Sequence, residues 1–100
     1  MSGPTQRTEV IGIPWYRREN YPDLRALFTD ADLLHETWRE WFIAASAEED
    51  RLQKEGKHVV RTEIRPEPFA AWCRGLGIQP DASARARWAN EIAMRGAKQN

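Results

Sequence analysis

The longest hydrophobic pattern of the chain lies in its middle third. Large apolar residues repeat there at i, i+4, i+7, i+8 and i+11 and form one stripe of a helix: Leu34, Trp38, Trp41, Phe42 and Ala45. Beyond this stripe, opposite charges recur at i,i+3 and i,i+4 until Gly56, a residue type that commonly ends helices. The pattern predicts a long helix over residues 32–55, capped at its start by Thr29, Asp30 or Asp32.

Two β-branched segments predict strands. Residues 8–13 and 58–64 are short and rich in valine, isoleucine and threonine, and prolines follow both of them. Because proline cannot donate a hydrogen bond to a neighbouring strand, we expect Pro14 to end the first segment, which should be an edge strand. The pattern leaves open whether the two strands pair parallel, antiparallel or across a dimer.

Three further helices are predicted around these strands. The first begins between Asn20 and Pro22, because a proline in the first turn costs no helical hydrogen bond. The second is expected to end at Gly77, and the third to begin after Asp81 and to end at Gly96. The apolar stripe of the second helix is Phe69, Trp72, Cys73 and Leu76. The stripe of the third is Ala82, Trp88, Ala89, Ile92 and Ala93.

The order of these elements defines the fold class. A short strand, two helices of which the second is long, a strand and two C-terminal helices predict a helix-rich α+β domain with a minimal two-stranded sheet. We expect one globular domain over residues 8–96, a flexible arm over 1–7 and a frayed tail over 97–100. An isolated pair of strands is marginal in water, so helices must cover it or a second chain must extend it.

Composition restricts the class of protein. The 100 residues are 41% hydrophobic and 30% charged, include 5 tryptophans and carry no formal net charge, which is typical of a single globular domain. One cysteine and two histidines make a disulfide framework and a closed zinc site unexpected. No apolar run approaches the roughly 20 residues of a membrane-spanning helix, and the start lacks the apolar segment of a secretory signal. We therefore expect a cytoplasmic protein without membrane or metal partners.

No constellation of residues predicts catalysis. Cys73 lies on an apolar stripe near the end of its helix, which indicates a core cysteine rather than an activated nucleophile. His35 and His58 are far apart and lack the spacing of metal ligands. The carboxylates over residues 48–50 diverge by about 100° per residue on a helix, which is typical of a solvated face. The expectation is a non-enzymatic protein without a cofactor.

Charge is distributed unevenly along the chain. Residues 1–50 carry 5 basic and 10 acidic side chains, whereas residues 51–100 carry 10 basic and 5 acidic ones. The last two helices and their short connection resemble a helix-turn-helix in outline, which makes nucleic-acid binding the alternative function. Its candidate contacts are Arg74, Arg85, Arg87 and Arg95. This alternative ranks second, because Trp88 and Ile92 commit one face of the last helix to the core and Asp81 opposes phosphate.

A segment rich in aromatic and arginine residues is the candidate interaction surface. It comprises Trp15, Tyr16, Arg17, Arg18 and Tyr21, residue types that dominate binding hot spots. Either these side chains fold back as a cover over the helices, or they form a contact surface for a protein partner or a second copy. The leading interpretation is a protein-interaction or small structural domain that can form a homodimer. Binding of a small ligand is a further alternative.

Three stretches of sequence carry a family resemblance. They are IPWYRRE over residues 13–19, the helix around Leu24 and Phe28, and the pattern P-x-x-F-x-x-W-C over residues 66–73. Across residues 10–95 the chain resembles a family of small bacterial proteins that share these stretches and have no known activity. The resemblance implies a bacterial, cytoplasmic protein and contributes no catalytic residue.

Overall fold

The computed structural model describes the backbone of residues 9–98 and the side chains of residues 9–96. Its elements are β1 (Val10–Trp15), a 3₁₀ turn (Arg18–Asn20), α1 (Tyr21–Leu27), a second 3₁₀ turn (Ala31–Leu33), α2 (Trp38–Lys54), β2 (His58–Glu63), α3 (Pro66–Leu76) and α4 (Ala82–Lys98). This order confirms the helix-rich α+β fold. The expected arm over residues 1–7 lies outside the described residues, as does the end of the expected tail. None of the described helices is long and apolar enough to span a membrane.

The two strands form a parallel pair. The register runs from Val10 opposite His58 to Trp15 opposite Glu63. A parallel pair needs a long crossover, which α1 and α2 supply here. The expectation that Pro14 ends the first strand is wrong, because β1 continues through Pro14 to Trp15.

The direction of the backbone groups explains how β1 accommodates a proline. The carbonyl oxygens of Glu9 and Trp15 accept hydrogen bonds from the amides of His58 at 2.8 Å and Ile64 at 2.9 Å. The odd-numbered residues of β1 therefore turn their backbone groups toward β2, and the even-numbered residues turn theirs to the outer edge. The nitrogen of Pro14 points outward, so no hydrogen bond between the strands is lost.

Helices cover both faces of the sheet. α4 packs mainly on β1, at Gly12, where an added Cβ would overlap the carbonyl oxygen of Ala89 and lie 2.9 Å from the Cβ of Ala93. The side chain of Thr62 on β2 lies on the same face and donates to that carbonyl at 3.4 Å. α2 covers the opposite face, where Trp15 packs edge-on against Trp41 with ring centroids 5.0 Å apart. The sheet is the middle layer of the domain.

The central helix is shorter than its hydrophobic pattern predicts. α2 begins at Trp38 instead of residue 32, because Thr37 and Glu40 form a complete capping box. The Thr37 hydroxyl accepts from the Glu40 amide at 3.1 Å, and the Glu40 carboxylate accepts from the Thr37 amide at 3.3 Å. The expected caps at Thr29, Asp30 and Asp32 are wrong. The 17 residues of α2 span about 26 Å at the usual helical rise.

The core lies between α1, α2, α3 and the end of the sheet. Its buried members are Tyr16, Tyr21, Leu24, Phe28, Trp41, Ile64, Phe69, Cys73 and Ala84. α3 ends as expected at Gly77, whose φ of 69° is left-handed, with the Ile78 amide donating to the Cys73 carbonyl at 3.0 Å. Leu76 is exposed, so its predicted place in the core is wrong. Ala82 is likewise exposed, and α4 continues past Gly96 to Lys98.

Candidate protein-binding edge of the sheet

Two members of the predicted aromatic and arginine surface belong to the core. Tyr16 and Tyr21 are each 3% exposed, so their assignment to an interaction surface is corrected. The Tyr21 hydroxyl donates to the His35 carbonyl at 2.6 Å, and the Tyr16 ring lies 4.6 Å from that of Trp41. The two tyrosines form a cover over the helices, the first of the two expectations.

The other three members do not form one continuous surface. Trp15 is half-buried, and the guanidinium of Arg61 lies 3.9 Å above its ring. Arg17 is exposed and pairs with Glu63 at 3.1 Å. Arg18 is exposed too, 4.8 Å from the centre of the Trp38 ring. Each arginine is therefore engaged by its own domain.

The candidate nucleic-acid contacts are also divided. Arg85 is 6% exposed and donates to both carboxylate oxygens of Asp30, at 2.8 and 2.9 Å, while lying 4.3 Å from the Phe28 ring. A side chain held in this way does not reach a phosphate, so this candidate is corrected. Arg87 donates to Glu91 at 2.8 Å on the surface of α4. Arg74 and Arg95 are exposed, on α3 and α4 respectively.

Burial keeps the Cys73 thiol and the Tyr16 phenol neutral. Burial raises the pKa of the Cys73 thiol, with a smaller contribution from the carboxylate of Asp81. Burial also raises the pKa of Tyr16 to about 12. Over the described part of the chain, no three histidine, cysteine or acidic side chains are grouped to hold a metal ion. These groups offer no nucleophile or general base near neutral pH.

The outer edge of β1 is closed to further strands. The outward amide of Gly12 donates to the side-chain oxygen of Asn90 on α4 at 3.0 Å. Two residues further along, Pro14 presents no amide hydrogen at all. Between Gly12 and Pro14 this edge therefore offers no free donor to another strand.

The outer edge of β2 has the opposite character. Because the His58 and Ile64 amides point to β1, the flanking carbonyls of Lys57 and Glu63 point away from it across their trans peptide bonds. The same alternation turns both backbone groups of Val59 and Arg61 outward. Within residues 9–96, no donor or acceptor is paired with these backbone groups of Val59 and Arg61.

Two hydrogen bonds mark the limits of this open edge. At one end the Lys57 amide donates to the Leu52 carbonyl at 3.1 Å, in the turn that follows α2. At the other end the indole nitrogen of Trp88 donates to the Glu63 carbonyl at 3.3 Å. The open edge of β2 is therefore defined as the backbone groups from the Lys57 carbonyl to the Glu63 amide.

The open edge of β2 has an ion pair on one face and a groove with two tryptophans at its Glu63 end. On the α2 face, Arg61 donates to both carboxylate oxygens of Glu49, at 2.8 and 2.9 Å, and lies over Trp15. Trp88 at the end of the edge also lines a groove of about 490 Å³ between α3 and α4. The other residues that line the groove are Pro68, Ala71, Trp72, Glu91, Ile92 and Arg95.

Comparisons with known proteins assign no function to this edge. No protein-family model, curated protein or solved structure matches the chain. The family resemblance of the three sequence stretches therefore stays a prediction. Sequence reasoning missed Val59, Arg61 and Trp88 as site residues, because an open edge depends on which strand lies beside which.

Proposed function

We propose that this chain is a non-enzymatic protein-interaction domain that binds a partner strand along the open edge of β2. The observation that carries the proposal is the contrast between the two edges of one sheet. Asn90 and Pro14 close the edge of β1, whereas the outward groups of Val59 and Arg61 on β2 have no partner within residues 9–96. Proteins commonly protect strand edges, so a domain that closes one edge and leaves the other open has a surface suited to strand addition.

The rigidity of the edge favours binding. Arg61 is held by Glu49 and Trp15, and the Glu63 carbonyl is held by Trp88. A partner strand would meet a backbone that is already extended, so little conformational entropy is lost on the side of this domain. Main-chain hydrogen bonds would supply affinity, and the alternating side chains of β2 would supply specificity.

The alternative functions receive less support. Nucleic-acid binding loses Arg85 to the core, and Arg87 is already paired with Glu91. A small ligand is less well supported than a strand, because the groove at Trp72 and Trp88 is a wide surface depression whose charged members, Glu91 and Arg95, lie at one side of it. The family resemblance adds a bacterial origin and a cytoplasmic location to the same proposal.

A site-specific photo-crosslinking experiment tests this function. A photoreactive amino acid replaces Val59 in one variant and Ile43 in another, within cells that produce the chain. Ile43 is the matched control, because it is an aliphatic residue on α2 that is 63% exposed. We expect protein adducts from position 59 and not from position 43, and loss of these adducts when Arg61→Pro is added.

Arg61→Pro is chosen because the Arg61 amide points away from β1. The substitution removes a donor from the open edge and leaves the hydrogen bonds between the two strands in place. Circular dichroism confirms that the variant is folded. Adducts with nucleic acid, equal yields at both positions, or adducts that persist in a folded Arg61→Pro chain would contradict the proposal.

A further inference from the structure

We infer that the strand received by the open edge of β2 is β2 of a second copy, antiparallel, with the twofold axis at Val60. The inference rests on the proposed function and names the partner of the same site. The resulting assembly would be a four-stranded sheet in the order β1, β2, partner β2, partner β1. Its evidence is the distribution of free backbone groups and of charged side chains along β2.

The free backbone groups are self-complementary about Val60. Reversal of the strand about this residue places Val59 opposite the partner's Arg61, so that each donates to and accepts from the other. It also places the free Glu63 amide opposite the partner's Lys57 carbonyl. The remaining two groups at these positions, the Lys57 amide and the Glu63 carbonyl, are already bonded to Leu52 and Trp88. Every free group thus finds a partner, and every unmatched group is already satisfied.

Charge distinguishes this register from its neighbours. With the axis at Val60, Lys57 lies opposite the partner's Glu63 on both sides of the dimer. Moving the axis to Val59 places Lys57 opposite the partner's Arg61, and moving it to Arg61 places Lys57 opposite the partner's Arg65. Like charges directly across two strands are destabilising, so both shifts are disfavoured. The pairing to Glu63 adds little affinity at an exposed site, but it selects the register.

The side chains at the axis agree with this arrangement. Val60 is half-buried on the α4 face and would meet the partner's Val60 across the axis. Val-to-Val contacts across neighbouring strands are among the pairs that stabilise sheets. At the Glu63 end, the turn before the partner's β2 would extend beside the groove at Trp72 and Trp88. The second copy would thus cover apolar surface that the monomer leaves open.

Charge exchange across the interface provides the test. Sedimentation velocity of the full chain over micromolar to hundreds of micromolar concentrations should show a mass near twice 11.6 kDa at the upper end. Lys57→Glu alone and Glu63→Lys alone should each weaken dimerisation by tenfold or more, because like charges then face each other twice. The double variant that carries both Lys57→Glu and Glu63→Lys should recover most of the lost dimer affinity, because opposite charges again face each other across the interface.

The double variant separates this interface from effects within one chain. Lys57 pairs with Glu9 and Glu63 pairs with Arg17 inside the monomer, and the exchange restores neither of these contacts. Recovery therefore reports on the contact between copies. Ile43→Lys serves as a control for added charge elsewhere and should leave the dimer unchanged. Thermal unfolding verifies that each variant is folded.

Three outcomes would overturn the inference. The wild-type chain could remain at 11.6 kDa throughout the concentration range. The double variant could dimerise no more tightly than the weaker of the two single variants. The dimer could also tolerate both single substitutions. Protein adducts at position 59 with another polypeptide, together with a monomeric chain, would reject the second copy as partner and leave the proposed function standing.

Discussion

Arg85 and Asp30 form a bidentate ion pair inside the domain, in which the two terminal guanidinium nitrogens lie 2.8 and 2.9 Å from the two carboxylate oxygens. The pair joins α4 to the connection between α1 and α2, two parts of the chain that are 55 residues apart. Hydrogen bonding to Arg85 holds the pKa of Asp30 below its usual value, against the opposing effect of burial. The pair thus joins an acidic side chain from the acidic half of the sequence to a basic side chain from the basic half.

Removal of one partner of this pair should destabilise the fold strongly. Asp30→Ala leaves the guanidinium of Arg85 buried without a counter-charge, which typically costs about 3–5 kcal/mol. The exposed neighbour Asp32 provides the control, and Asp32→Ala should change the free energy of unfolding by about 0.5 kcal/mol or less. Urea denaturation of the two variants measures the difference. Equal stability of the two variants would contradict this role of Asp30.

The same ion pair predicts a loss of stability in acid. Because the pKa of Asp30 is lower in the folded chain than its ordinary value of 3.8, the unfolded state binds protons more readily. The contribution of Asp30 is complete above pH 3.8 and is lost as the pH falls through the folded-state pKa. Asp30→Asn should flatten the acid limb of a plot of unfolding free energy against pH. An unchanged slope of the acid limb would exclude Asp30 as a source of the loss of stability in acid.

Tyr16 predicts a second pH dependence, at the alkaline end. Its pKa is raised from 10.0 to about 12, so the unfolded state releases this proton first as the pH rises. A shift of this size corresponds to a loss of about 2–3 kcal/mol of unfolding free energy between pH 10 and 12. Tyr16→Phe should remove most of this decline. A wild-type phenol that titrates near 10 in the folded protein would show that Tyr16 is accessible to water.

Two glycines should respond in opposite directions to the same substitution. Gly12→Ala forces a methyl group into the carbonyl of Ala89, so α4 must move away from β1 and stability should fall by about 2 kcal/mol or more. Gly75→Ala adds a methyl group with no atom within 4 Å inside α3. This change should stabilise the chain by about 0.5–1 kcal/mol through the lower helix propensity of glycine. Thermal melts compare the two, and a neutral Gly12→Ala would contradict the close packing.

The architecture was predictable from sequence where periodicity and local chemistry agree. The stripe of α3, apart from the exposed Leu76, and the end of the helix at Gly77 follow from residues within one helix. The proline in the first turn of α1 fixes where that helix begins. The hydrophobic pattern predicts the start of α2 too early, because Leu34 shares the apolar spacing of the helix. The capping box of Thr37 and Glu40 instead begins the helix at Trp38. Apolar spacing alone does not distinguish a helix from an extended segment that packs on the same core.

The binding edge and the buried ion pair depend on contacts between distant segments. Nothing in the sequence near Arg85 marks it as internal, since its partner Asp30 and its aromatic neighbour Phe28 both lie in the connection that follows α1. The openness of β2 likewise follows from the parallel register and from the position of Trp88 on α4. Sequence reasoning did indicate that a two-stranded sheet could be extended by a second chain.

Residue-specific amide hydrogen exchange tests the open edge of β2 most directly. In dilute solution the Val59 and Arg61 amides should exchange rapidly, while the Val60 and Thr62 amides that point to β1 should be protected. Raising the protein concentration should slow exchange at Val59 and Arg61 and leave the exposed part of α2 around Ile43 unchanged. Two results would contradict strand addition at β2. One is that the Val59 and Arg61 amides exchange at the same rate at every protein concentration and also in the presence of a bound partner protein. The other is that these two amides are already protected in the monomer.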